Sequence, residues 1–141
     1  MGLAKLDHYS IRTPRLDETR RFYAEVMGMQ EGPRPPFPFP GAWMYIGETA
    51  MVHLVGYDPN DLEGLKYYLG DKPVADGGTG TIDHVAFIAH DLRGLKARLD
   101  RAGCPYRERT VPNLDLHQLF VEDPNGVTLE LNFPGAEAAQ A

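Results

Sequence analysis

The sequence contains one cysteine, a deficit of basic residues and no long apolar run. Cys104 alone cannot form an internal disulfide or a zinc site built from several cysteines. Lys and Arg number 14 against 20 Asp and Glu, for a net charge of −6, and no basic stretch stands out, so we expect no nucleic-acid partner. The lack of a membrane-length apolar segment or a signal-peptide pattern predicts a cytoplasmic protein with no membrane partner.

The rest of the composition is that of an ordinary folded domain. Apolar residues make up 43% of the chain and charged residues 24%, as in typical globular proteins. A chain of 141 residues can bury a core without disulfides. We therefore expect a single domain over residues 1–141.

A short motif occurs twice. Leu6-Asp7-His8 near the start is echoed by Ile82-Asp83-His84, 76 residues later. Each copy lies in a strand-like stretch, which is followed by a helical pattern and further strand-like stretches. This predicts two repeated βαβββ modules, residues 4–56 and 81–133, joined by a connector over 57–80 and followed by a flexible tail over 134–141.

Local signals support the repeat. A three- and four-residue apolar spacing predicts a helix over 16–27, with Gly28 as its left-handed cap. In the second half Asp91 is a helix N-cap, three leucines face inward and Gly103 ends the helix. The further predicted elements are a connector helix over 61–69 and strands over 4–12, 29–32, 42–46, 50–55, 81–89, 106–109, 114–121 and 127–133.

Four polar groups fall at matching places in the two modules. His8 and His84 belong to the first strands, and His53 and Glu130 belong to the last strands, 45 and 46 residues further on. Taken singly, each is a packed or solvent-facing strand residue. In register across a repeat, three imidazoles and a carboxylate form a ligand set suited to Fe, Mn, Ni, Co or Zn.

These residues resemble a known family. The two modules, the paired Asp-His motifs and the run Asp123-Pro124-Asn125-Gly126 leading to Glu130 are similar to the vicinal oxygen chelate superfamily over about residues 4–133. That group includes glyoxalase I, methylmalonyl-CoA epimerase, fosfomycin-resistance transferases, extradiol dioxygenases and bleomycin-binding proteins. The resemblance implies an α+β fold in which the modules form a U-shaped, mixed but mostly antiparallel sheet around a divalent metal.

The resemblance leaves the chemistry open. With His53 included, the four ligands match glyoxalase I and the epimerase, where Glu or Gln is usual at that position. This reading predicts an isomerase or lyase acting on a small carbonyl or carboxylate compound, with Glu130 as the catalytic base. Without His53, the remaining facial triad suits an Fe(II) dioxygenase acting on a catechol-like compound. A non-catalytic binder of a small molecule such as an antibiotic is the third reading.

Four other residues are candidates for the pocket. His117 is a candidate acid or base and substrate contact, or else a satisfied strand histidine. Arg34 is placed to clamp a substrate carboxylate, or is simply an exposed loop arginine. Phe39 and Trp43 are candidates for an aromatic wall, with packing of the proline-rich loop as the alternative. The resemblance also implies a homodimer that binds a small-molecule substrate.

Overall fold

The computed structural model describes residues 2, 5–63, 66, 75–80, 82–111 and 115–139. The chain divides into two compact units, Met1–Asp76 and Gly77–Ala141, and the boundary lies in the predicted connector. In the first unit the elements are β1 (Tyr9–Thr13), α1 (Leu16–Arg21), a π-helix (Phe22–Val26), β2 (Gln30–Gly32), β3 (Gly41–Ile46) and β4 (Thr49–Gly56). In the second unit they are β5 (Val85–Ile88), α2 (Leu92–Ala102), β6 (Tyr106–Val111), β7 (Leu116–Glu122), β8 (Thr128–Pro134) and α3 (Ala136–Ala139).

The two units have the same topology. Each contains a four-stranded sheet, in the order β1-β4-β3-β2 in the first unit and β5-β8-β7-β6 in the second. The first and last strands of each unit pair in parallel, and the other pairings are antiparallel. The α+β class and the two βαβββ modules are therefore confirmed.

The helix of the first unit changes its hydrogen-bonding pattern part-way. The α-helix predicted over 16–27 is regular only to Arg21 and then continues as a π-helix, in which the Met27 N–H reaches the Phe22 carbonyl at 3.0 Å. Gly28 ends it with φ 80°, as predicted for a left-handed cap.

The helix of the second unit has the predicted caps. The Asp91 carboxylate accepts a hydrogen bond from the Gly94 N–H at 3.2 Å, and Gly103 ends the helix with φ 69°. Leu92, Leu95 and Leu99 are buried, at 5%, 3% and 0% exposure. Burial of this one face fixes the helix against the second unit's core.

Each sheet buries one face. In β8, Leu129, Leu131 and Phe133 are buried, while Thr128, Glu130 and Asn132 alternate with them and are half-buried. In β4 and β3, Val52, Leu54 and Met44 are buried, and His53 and Trp43 alternate with them. The predicted functional side chains His53 and Glu130 therefore lie on the face of their sheet that the core leaves open.

Some predicted boundaries were wrong. The strand predicted over 81–89 is formed only by Val85–Ile88 among the described residues, and residue 81 lies outside them. The predicted flexible tail contains α3, whose Ala138 is 7% exposed. The predicted connector helix falls mostly on residues 64–65 and 67–69, which lie outside the described residues. No helix in the described part of the chain is long and apolar enough to cross a membrane.

Candidate metal centre

His53 and Glu130 occupy equivalent positions in the two sheets. In the first unit His53 pairs with Ser10, two residues after His8. In the second unit Glu130 pairs with Ala86, two residues after His84. Both motif histidines lie one residue before the first strand rather than within it. Within each unit the structure thus places two potential ligands side by side, His8 with His53 and His84 with Glu130.

In the first unit the two imidazoles are stacked. The rings of His8 and His53 lie 3.7 Å apart with an interplanar angle of 13°, and Trp43 stacks on the other side of His53 at 3.9 Å. His8 Nδ1 is 2.6 Å from the Asp7 carboxylate, and His53 Nε2 is 3.0 Å from the Ala50 carbonyl oxygen.

These contacts determine which ring nitrogens carry lone pairs. A carboxylate and a carbonyl only accept hydrogen bonds, so the ring N–H lies on Nδ1 of His8 and on Nε2 of His53. In the neutral rings the lone pairs are then on Nε2 of His8 and Nδ1 of His53. An imidazole oriented by a carboxylate on its other nitrogen is the usual form of a metal-bound histidine.

The second unit repeats the carboxylate–histidine arrangement. His84 Nδ1 is 2.8 Å from the Asp83 carboxylate, and His84 Nε2 is 3.6 Å from Glu130 Oε1. The second Glu130 oxygen, Oε2, accepts a hydrogen bond from Asn132 Nδ2 at 3.0 Å. A lone pair of neutral His84 and a carboxylate oxygen therefore face each other across a gap longer than a hydrogen bond.

The pKa shifts agree with these environments. Burial, and then the neighbouring His8, lower the pKa of His53, which favours the neutral ring that a metal requires. The hydrogen bond to Asp83 raises the pKa of His84, and the hydrogen bond from His8 lowers the pKa of Asp7. A cation at His84 would therefore compete with a proton.

The donor set fits a divalent metal in its chemistry. Each unit supplies two potential ligands, two imidazoles in the first and an imidazole with a carboxylate in the second. Within the described residues, neither unit gathers three or more His, Cys, Asp or Glu side chains into a metal-binding group. We call each of these two pairs a half-set, and oxygen and imidazole donors of this kind suit Mn, Fe, Co, Ni or Zn.

The loop residues predicted to line the pocket have different surroundings. Trp43 is half-buried and covers His53, so it remains a candidate wall. Phe39 is 9% exposed and packs with Val55, which makes packing its main role. Arg34 donates to the Phe39 carbonyl at 3.0 Å and lies over that ring, while its buried Nε has no partner among the described residues.

His117 lies away from Glu130. It pairs with Phe133, on the buried face of the second sheet, and is 5% exposed. Its ring nitrogens contact Thr110 Oγ1 at 2.9 Å and the Glu108 carboxylate at 3.0 Å. This placement agrees with the alternative reading of His117 as a satisfied strand histidine and not with a role beside Glu130. Paired residues of neighbouring strands lie on the same face, and His117 is paired with Phe133, whereas Glu130 is paired with Phe120.

The family model of the Glyoxalase/Bleomycin resistance protein/Dioxygenase superfamily matches residues 5–131. The chain belongs to this superfamily. The predicted family resemblance is therefore confirmed over nearly the whole chain.

Individual relatives differ in what they do. The chain is 26% identical over 134 residues to the Arabidopsis thaliana protein named Glyoxylase I 4, covering 93% of this chain and 71% of that protein. The Listeria monocytogenes fosfomycin resistance protein FosX, solved with Mn(II), has a TM-score of 0.67 at 14% identity and 97% coverage of both chains. A Streptomyces antibiotic-binding protein has a TM-score of 0.66 at 18% identity, covering 96% of this chain and 99% of that one. At these identities the solved structures support the fold alone.

Several residues of the site were missed from sequence. Asp7 and Asp83 were part of the repeated motif but were given no role, although each holds Nδ1 of the following histidine. Strand alternation predicts that Asn132 shares a face with Glu130, but it does not predict the hydrogen bond between them. Alternation assigns a face, whereas a contact depends on side-chain rotamers.

Proposed function

We propose that this protein is a divalent-metal-dependent enzyme of the glyoxalase I or epimerase type. It would act as an isomerase or lyase on a small carbonyl or carboxylate compound. The observation that carries the proposal is the repeated carboxylate–histidine pair, Asp7–His8 and Asp83–His84, each next to a second ligand-type side chain on the paired strand. The similarity to a plant protein named as a glyoxalase I supports it.

The proposed ligands are His8, His53, His84 and Glu130. Asp7 and Asp83 would orient the two motif histidines, because each accepts the Nδ1–H and leaves Nε2 as the lone-pair nitrogen. When bound, the metal would supply Lewis-acid polarisation of substrate oxygens. The half-set of the second unit would come from the same chain or from the partner chain of a homodimer.

Glu130 is the proposed proton acceptor. Its Oε2 is held by Asn132 and its Oε1 faces His84, so Oε1 is the oxygen available to take a proton from the carbon next to a polarised carbonyl. Trp43, stacked on His53, would cover one side of the substrate and keep water from it.

Homodimer formation is part of the proposal. Leu6, Ile82 and Ile88 are 83%, 63% and 70% exposed. Two of these belong to the repeated motif, and large apolar side chains of this kind are stabilised when association removes them from water. Analytical ultracentrifugation of the wild type and of a Leu6→Ser, Ile82→Ser variant would test this directly.

The surroundings of His53 make the dioxygenase the second candidate. His53 lies between the rings of His8 and Trp43, and its Nε2 contacts the Ala50 carbonyl, so it can bind a metal only through Nδ1. If Nδ1 does not reach the metal, His8, His84 and Glu130 would form the two-histidine, one-carboxylate set of non-haem Fe(II) oxygenases. A catechol-like substrate would then replace the carbonyl compound.

The test is reconstitution with single metals. Protein stripped with chelator is loaded separately with Mn(II), Fe(II), Co(II), Ni(II) or Zn(II), and metal content is measured per chain. The proposal expects about one bound metal ion per chain. It also expects the loaded protein to convert a hemithioacetal to lactoylglutathione, or another small 2-oxo or 2-hydroxy compound to its isomer. O₂ uptake on catechol with Fe(II) alone would establish the dioxygenase instead. A chain that takes up none of these metals would leave only a binding role, as in the antibiotic-binding relative.

A further inference from the structure

A chain of hydrogen bonds crosses the second sheet from Arg109 to Glu130. Arg109 Nε donates to Gln118 Oε1 at 2.6 Å, Gln118 Nε2 donates to Asn132 Oδ1 at 2.9 Å, and Asn132 Nδ2 donates to Glu130 Oε2 at 3.0 Å. We call Arg109, Gln118 and Asn132 the amide relay. They belong to β6, β7 and β8 and follow the paired register of these strands.

The relay has a single direction. A guanidinium can only donate, so Gln118 must turn its oxygen toward Arg109 and its N–H toward Asn132. Asn132 must then accept on Oδ1 and present Nδ2 to Glu130. With either amide reversed, two N–H groups or two oxygens would face each other. Arg109, a donor at one end, and the Glu130 carboxylate, an acceptor at the other, therefore together determine the orientation of both amides.

The central residue of the amide relay is buried. Gln118 is 6% exposed, and both ends of its amide are hydrogen-bonded. A buried amide with an unpaired end costs about 1–3 kcal/mol, so the arrangement is held at its centre. Only Arg109, at the far end, is exposed.

We propose that the amide relay positions Glu130 for metal binding. Asn132 holds Oε2, and this leaves Oε1, the oxygen facing His84, as the ligand and proton-accepting atom. Arg109, Gln118 and Asn132 are positioning residues, because they act through Glu130 and not on the substrate. This inference rests on the proposed function, since it assigns the relay to the same metal site.

The decisive variants are Arg109→Met and Arg107→Met. Both arginines are exposed, belong to β6 and lie over the Phe120 ring, at 5.4 and 4.9 Å. Of the two, only Arg109 hydrogen-bonds to Gln118. Each variant removes one positive charge, so simple electrostatics predicts unchanged or tighter cation binding for both.

The relay predicts a different result for each arginine. Co(II) affinity, measured by calorimetry and by the visible absorption of the bound ion, should fall about 10-fold in Arg109→Met, as it does when an outer-shell partner is lost. It should stay within about 2-fold of wild type in Arg107→Met. Equal Co(II) affinities in the two variants would overturn the proposal.

A double-mutant cycle tests the interior of the relay. Gln118→Met and Asn132→Leu should each weaken Co(II) binding, and the double variant should bind no more weakly than Asn132→Leu alone, since removal of Asn132 already cuts Gln118 off from Glu130. Independent, additive losses would contradict the relay. Thr128→Val, on the same face of β8, is the control and should bind like wild type. If Gln118→Met does not fold, the two surface arginine variants still decide the question.

Failure of the relay is distinguishable from failure of the proposed function. Glu130→Ala should abolish or strongly weaken Co(II) binding if the metal site is correct. If Glu130→Ala binds Co(II) like wild type, the metal site itself is wrong. If Glu130→Ala loses Co(II) while Arg109→Met does not, the metal site stands and the relay is rejected.

Discussion

His8 and His53 lie face to face, with ring centres 3.7 Å apart and planes nearly parallel. Two protonated imidazoles at this distance would repel each other, and the pKa of His53 is lowered by burial and then by His8. In the neutral rings the lone-pair nitrogens are the ones that do not contact Asp7 or Ala50, namely Nε2 of His8 and Nδ1 of His53. Whether His53 binds the metal decides between a site with four protein ligands and a site with three.

The first prediction concerns His53. His53→Ala should weaken Co(II) or Ni(II) binding by more than the roughly 10- to 100-fold expected for an outer-shell residue, because it removes a ligand. Calorimetric titration measures this. Trp43→Phe, which keeps an aromatic ring against His53, is the matched control and should bind metal normally. Unchanged affinity in His53→Ala would favour the three-ligand dioxygenase site.

The second prediction asks whether the two half-sets meet within one chain or across a dimer. One variant carries His8→Ala and His53→Ala, and the other carries His84→Ala and Glu130→Ala. Neither should be active alone. If sites form across protomers, mixed dimers recover up to one intact site each, and activity returns after the variants are unfolded and refolded together. If sites form within one chain, the mixture stays inactive.

The third prediction concerns pH and Glu108. Hydrogen bonds to His117 and then to Lys96 lower the pKa of Glu108 from its ordinary value of 4.5. Glu108 therefore stabilises the fold above about pH 4.5, and this contribution is lost as pH falls further. Its side chain is 38% exposed, so solvent screening limits the contribution to about 0.5–1 kcal/mol. Urea unfolding should show Glu108→Gln less stable than wild type at pH 7, and the difference should shrink as the pH falls below about 4.5.

A stability difference between Glu108→Gln and wild type that stays constant as the pH falls would contradict this prediction. It would mean that packing, and not the charge of Glu108, makes the difference. Lys96→Met tests the same cluster from the helix side, since Lys96 Nζ lies 3.1 Å from the Glu108 carboxylate. It should lose less stability than Glu108→Gln, because His117 still holds the carboxylate.

The fourth prediction concerns the turn that precedes Glu130. Asp123 is 5% exposed, and its Oδ1 accepts the N–H groups of Asn125 and Val127, both at 2.8 Å. Asp123→Ala leaves these donors unpaired and should destabilise the fold by about 2–3 kcal/mol in urea unfolding. Asp123→Asn keeps an acceptor oxygen and should lose less than half as much. Equal losses would show that the charge matters more than the acceptor.

The face of each strand was predictable in part. Alternation in β8 correctly separated Glu130 from the buried Leu129 and Leu131. The face of His117 depends on the register between β7 and β8. Counted back from the run Asp123–Gly126, His117 lies opposite Phe133 and Phe120 lies opposite Glu130, so the sequence contains a signal for the placement of His117 away from Glu130.

The sequence by itself determined the repeat, the element order and the matching places of His8, His53, His84 and Glu130 in the two units. These follow from local rules: strand and helix periodicity, caps at Gly28, Asp91 and Gly103, and a motif that recurs. Only the tertiary structure decided the contacts of the side chains. In the structure Phe39 is a buried core residue and His117 is hydrogen-bonded to Glu108. Hydrogen bonds through Gln118 and Asn132 link Arg109 to Glu130. The reason is that periodicity assigns a residue to a face, whereas strand register and rotamers determine which groups on that face come within hydrogen-bond distance.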